Sequence, residues 1–132
     1  MIKLFIGGKG SGKTKALIEL VNNAANTSAG SVVCIEKGSN LKLDITYKAR
    51  LINSDDFAIN GANALYGFIS GILASNSDIT DIFVDGTLKI CDSADALGTV
   101  LADLEKILGD VNLVMTASIA VDDCPDSVKK YA

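Results

Sequence analysis

The chain contains no histidine and no tryptophan, a single proline (Pro125) and a single arginine (Arg50). Each scarcity excludes something. Without histidine, the commonest general base and nucleophile activator is missing, and a structural zinc site loses its usual nitrogen ligand. The three cysteines, Cys34, Cys91 and Cys124, are odd in number and form no C-x-x-C pair, so no disulfide framework or metal knuckle is indicated. Cys34 reads as a small buried hydrophobe, and Cys91 and Cys124 read as loop thiols. Aromatic residues make up only 5% of the sequence, so small and branched aliphatics must fill the interior, as in a parallel sheet covered on both faces. No apolar run approaches membrane-spanning length. The N-terminal apolar stretch ends at Gly7, too early for a secretory signal, and a cytoplasmic location is expected. Basic clusters are lacking too: 12 cations stand against 16 acids, net −4, with the lysines dispersed, which argues against a nucleic-acid partner.

What is present suffices for one domain: 132 residues, 48% of them hydrophobic. The informative stretch lies at the start. The apolar run Ile2–Ile6 breaks into Gly7-Gly8-Lys9-Gly10-Ser11-Gly12-Lys13-Thr14, and a helical pattern follows at once. Gly7, Gly12, Lys13 and Thr14 satisfy G-x-x-x-x-G-K-[ST]. The glycines permit backbone conformations closed to other residues, so loop N–H groups can turn inward around a phosphate. The helix that starts there adds its free N–H groups and its dipole. Lys13 is suited to the terminal phosphates and Thr14 to Mg²⁺.

On these residues the sequence resembles the P-loop NTPase superfamily. The resemblance implies a three-layer α/β/α sandwich with a mostly parallel sheet, a nucleoside triphosphate held by Gly7 to Thr14 with Lys15 beside them, and Mg²⁺. The chain as a whole is similar to small bacterial P-loop proteins sometimes labelled twitching motility proteins. The motors behind that label carry histidine-containing motifs, and here the likeness is confined to the phosphate loop and Asp85.

Periodicity orders the remainder. A helix is predicted from about Gly12 to Ala25 and a buried strand at Ser31–Glu36. Leu41, Leu43, Ile45 and Tyr47 alternate with polar residues, which predicts a half-exposed strand. Ala49–Asn53 is a short strand candidate. The next helix spans about Gly61–Ser75, where Gly67 and Gly71 are expected to allow close packing on the sheet. Ile79–Asp85 is a strand. Asp92 and Ser93 are candidate caps for a helix at Ala94–Leu108 stopped by Gly109, and Val111–Ala117 is the last strand. Pro125 is suited to open a short terminal helix.

Strands alternating with helices place all strand C-terminal ends on one edge, where a ligand is expected. Asp85 closes the apolar run Ile82-Phe83-Val84, which resembles the element that partners Mg²⁺ in P-loop proteins, opposite the Thr14 hydroxyl. Many ATPases follow that acid with a glutamate, and this chain has Gly86. Glu36, ending the second strand, is the candidate replacement for activating water. Thr116 and Ser118 stand where related ATPases place a γ-phosphate sensor, with plain capping as the alternative. Thr87 and Lys89 follow Asp85 and are candidates for contact with phosphate or water. Arg50 is the one candidate for an arginine finger, supplied to a second subunit across an edge formed by the Leu41–Tyr47 strand, with a plain surface cation on an edge strand as the alternative.

No N-K-x-D guanine reader is present, so ATP is the expected nucleotide, with Ala117–Pro125 as the base region. The function expected is Mg-ATP binding with slow or partner-stimulated hydrolysis, the partner being a second copy or another protein. The alternatives are a small-molecule or nucleotide kinase, disfavoured by the single arginine, and a non-catalytic, nucleotide-gated interaction module. Neither membrane nor nucleic acid is an expected partner.

Overall fold

The computed structural model describes residues 1–132. Its centre is a five-stranded sheet in the order β1-β5-β4-β2-β3. The strands are β1 (Ile2–Gly7), β2 (Ser31–Glu36), β3 (Arg50–Asn53), β4 (Ile79–Asp85) and β5 (Asn112–Ser118). Every neighbouring pair runs parallel. Such strands are buried on both faces, which is why β2, β4 and β5 read as nearly unbroken apolar runs.

Side chains alternate between two cores. Toward one face, α1 (Lys13–Thr27) lays Leu17 and Val21, both fully buried, against Val32, Cys34, Phe83 and Val114. Burying each such side chain contributes about 1.5–3 kcal/mol. Toward the other face, α2 (Ala62–Ser75), α4 (Ala94–Glu105) and α5 (Asp126–Lys129) pack Leu65, Ile69, Leu97, Leu101 and Val128 onto Leu4, Ile35, Ile82, Val84 and Met115. The result is the three-layer α/β/α sandwich, with a sheet that is wholly parallel. A one-turn helix, α3 (Thr87–Ile90), follows β4. The Ser93 hydroxyl, rather than Asp92, caps α4, accepting from the Ala96 amide at 3.1 Å. No helix is long and apolar enough to cross a membrane.

Two expectations fail for physical reasons, and a third holds only in part. Leu41–Tyr47 is not a strand but a turn, with the Ile45 amide bonded to the Leu41 carbonyl at 3.1 Å and that of Asp44 at 2.9 Å. Two side chains override the alternation. Glu36 accepts the Asn40 and Leu41 amides, each at 3.0 Å. Asn22 of α1 donates to the Asp44 carbonyl at 2.9 Å and accepts from the Thr46 amide at 2.8 Å. Leu43 and Tyr47 are left 97% and 91% exposed, so the apolar positions of the pattern do not share a buried face.

Gly67 and Gly71 do not face the sheet; both are exposed, and a side chain at either would meet open space. The helix glycine that permits close packing is Gly98 of α4, where a Cβ would collide with Ser127 of α5. Finally, Cys91 and Cys124 do lie in loops, as expected, but neither thiol is exposed. They are buried in the same core as Leu97 and Val128.

Candidate functional site

Gly7, Glu36, Asn53, Asp85 and Ser118 end their strands at one edge of the sheet. The chain from Gly8 to Gly12 wraps over that edge and enters α1. Gly12, the residue before the helix, has φ 85° and ψ 11°, a left-handed conformation that side chains resist. Lys13 folds back on the loop, its Nζ donating to the Gly8 carbonyl at 2.8 Å and the Ser11 hydroxyl at 3.2 Å.

The first turn of α1 contains no acid, although the positive end of a helix dipole favours one. Cations gather there instead. Lys9, Lys13, Lys15 and Lys89 line a cavity of about 380 Å³, together with Thr14, Ser118 and the loop glycines. No acidic residue lines it. The molecule's two ion pairs, Lys37–Asp55 and Lys106–Asp103, involve none of these lysines. A helix N-terminus surrounded by four unpaired ammonium groups is electrostatically unfavourable until an anion arrives.

Asp85 closes one side of the loop. The Thr14 hydroxyl donates to its carboxylate, 3.1 Å from Oδ1 and 3.4 Å from Oδ2. From the other side, the Thr116 hydroxyl donates to Asp85 Oδ1 at 2.7 Å while accepting the Gly86 amide at 2.8 Å. Thr116 is 2% exposed, so its hydroxyl fixes both the acid and the turn after it. This contact exists because β5 lies between β1 and β4, bringing its last residues between loop and acid. Thr116 thus both orients the acid and ties down the backbone that follows it. Asp81, the other acid of β4, is held at the opposite end by Asn112 and Thr80.

Thr14 and Asp85 offer hard oxygen donors side by side, which fits Mg²⁺. No group of three or more histidine, cysteine, aspartate or glutamate side chains could cage a metal alone. An ion here would take its remaining ligands from phosphate and water, the usual arrangement for Mg²⁺ with a nucleotide.

Glu36 pairs in register with Asp85, one strand away, and belongs to the same sheet face. It is 2% exposed, and both its oxygens are engaged by the Asn40 and Leu41 amides. Its task in this geometry is to cap the Leu41–Ile45 turn, so activating water would require releasing that loop. The electrostatics agree on the clustering: burial first, then the charges of Asp85 and Glu36, push the Cys34 thiol up to about 12.

Arg50 does not join this group. It begins the edge strand β3, opposite Val33, on the sheet face that carries Ile52, and lines no cavity. Thr87 is fully buried and does not reach the cavity, whereas Lys89 does. A Cβ at Gly86 would lie 3.2 Å from Lys89 Cδ, so the lysine stem occupies the space beside the position that follows Asp85.

Set against known proteins, the chain matches no protein-family model and no curated sequence.

Proposed function

We propose that the chain binds Mg-nucleoside triphosphates, ATP among them, with slow or partner-stimulated hydrolysis as the reaction. One observation carries the reading: four unpaired lysines converge on a glycine-loop helix N-terminus in a chain of net charge −4. The Thr14–Asp85 pair supports a metal beside the terminal phosphates. When bound there, Mg²⁺ would neutralise charge that develops on the transferring phosphoryl group. Lys13 would exchange its contacts with Gly8 and Ser11 for phosphate oxygens. Thr116 would keep Asp85 oriented. The interposed strand β5 supports the branch of the superfamily in which a strand separates the phosphate-loop strand from the acid-bearing strand.

Slow turnover follows from what this set lacks. Gly86 replaces a water-activating acid, Glu36 is committed to its loop, and no arginine is at hand. A missing arginine finger slows turnover by roughly 10³- to 10⁵-fold. Arg50 can act only on a second copy, since it is exposed on the β3 edge of its own chain.

The test is a nucleotide panel scored for binding and phosphate release, with Asp85→Ala as the metal control. Asp85→Ala is expected to weaken ATP binding with Mg²⁺ present and much less in EDTA. Equal weakening in both would assign Asp85 a structural task only. Turnover per subunit that rises with protein concentration, and that Arg50→Ala flattens, supports the second copy. Turnover independent of concentration excludes it.

A further inference from the structure

The cavity at the phosphate loop has no apolar wall: each of its lining residues is polar, charged or glycine. Beside it lies a smaller cavity of about 310 Å³ that shares Lys9, Lys89 and Ser118 with it and has Leu88 as its one apolar residue. The two form a lysine-lined trough that continues past the loop toward Gly86. Sites that hold a flat organic group are lined mainly by apolar and aromatic side chains. This molecule has such surfaces, but elsewhere. Phe5, Phe83 and Val114 line a cavity that also holds Asp81, toward the opposite sheet edge, and Ile45, Tyr47 and Leu51 line one beside Glu36. Neither shares a residue with the trough.

We infer that this site recognises the phosphate chain and leaves the base unread, so that its ligand class is nucleoside triphosphates of any base together with inorganic tripolyphosphate. The inference rests on the reading of Gly7–Thr14 as a phosphate loop. Lys89 is the residue that extends recognition beyond that loop. It lines both cavities, has no acidic partner, and lies with its stem against Gly86, whose φ of 68° and missing Cβ make room for it. Strong discrimination between similar ligands comes from buried polar groups that one ligand satisfies and another leaves unpaired. The trough offers ammonium groups and backbone amides, which satisfy phosphate oxygens alike whatever base is attached.

The experiment is isothermal titration of the full chain, in the presence of Mg²⁺, with ATP, GTP, UTP and inorganic tripolyphosphate. The four dissociation constants are expected to agree within about tenfold. Lys89→Ala is expected to weaken all four by the same factor, about fivefold for one exposed ammonium contact, with Lys89→Arg restoring them. The ligand-free melting temperature of Lys89→Ala should match the parent, because the side chain is exposed and makes no ion pair. ATP binding much tighter than GTP or tripolyphosphate would overturn the inference and leave the phosphate loop standing. An unchanged tripolyphosphate affinity in Lys89→Ala would remove Lys89 from it. Failure of ATP and tripolyphosphate alike would remove both the inference and the reading beneath it.

Discussion

Replacing Thr116 with valine deletes one hydroxyl and little else, since the two side chains have nearly the same shape. In the native chain Thr116 is 2% exposed, and its hydroxyl donates to Asp85 Oδ1 at 2.7 Å and accepts the Gly86 amide at 2.8 Å. A hydrogen bond to a charged group contributes about 1.5–3 kcal/mol, and a buried amide left unpaired costs about 1–3 kcal/mol. Asp85 is only half-buried and retains Thr14, so the lower part of each range applies. The expected loss is about 2.5–4 kcal/mol, a large fraction of the stability of an ordinary domain. Urea unfolding should show a lower midpoint with an unchanged slope, the signature of lost stability without altered exposed surface. Thr116→Ser, which keeps the hydroxyl, should recover most of the loss. Mg-ATP affinity should fall further in Thr116→Val than in Thr116→Ser, because Asp85 loses one of its two orienting partners. A stability change below about 0.5 kcal/mol, the range of a neutral surface substitution, would refute the reasoning.

Glu36→Gln removes one of two amide acceptors; it should cost about 1–3 kcal/mol and speed hydrogen exchange at Asn40–Ile45, and unchanged exchange there would show that the cap does not hold the turn. Gly86→Glu places an acid directly after Asp85, but at a left-handed φ of 68° and against Lys89. It is expected to destabilise the fold by about 1–3 kcal/mol without raising phosphate release, and faster release would contradict the assignment of that space to Lys89. The Cys34 thiol is raised from 9.0 to about 12 by burial and by Asp85 and Glu36. Its folded value exceeds the unfolded one, so its contribution is complete below pH 9 and is lost between pH 9 and about 12, at roughly 1.4 kcal/mol per pH unit. Urea midpoints at pH 8 and pH 10 should differ less in Cys34→Ala than in the parent, and equal differences would count against the buried thiol.

The legible parts of this chain are those encoded locally. The Gly7–Thr14 segment is a run of neighbouring residues, and β2 and β4 are continuous apolar runs whose bounds match the sequence reading. Leu41–Tyr47 was illegible because its period of two is real while its backbone partners lie elsewhere, in Glu36 and Asn22. Gly67 and Gly71 show a spacing but not which side of α2 faces the sheet. Thr116 lies near the end of an apolar strand, a visible signal, yet its bond to Asp85 depends on β5 lying next to β4, which only the assembled sheet determines. Lys89 was visible as a cation after Asp85. Its company with Lys9, Lys13 and Lys15 arises only when β4 and α1 meet at one edge.

The central claim, an anion cradle built around Lys13, is tested most directly by thermal unfolding with and without millimolar Mg-ATP. A ligand that binds only the folded state adds about 2.7 kcal/mol at a hundredfold excess over its dissociation constant. Lys13 Nζ contacts only its own loop, at Gly8 and Ser11, so Lys13→Ala should fold and melt near the parent when ligand is absent. The account predicts a rise in melting temperature for the parent and none for Lys13→Ala. A parent chain whose melting temperature is unmoved by millimolar ATP, GTP and tripolyphosphate alike would contradict it.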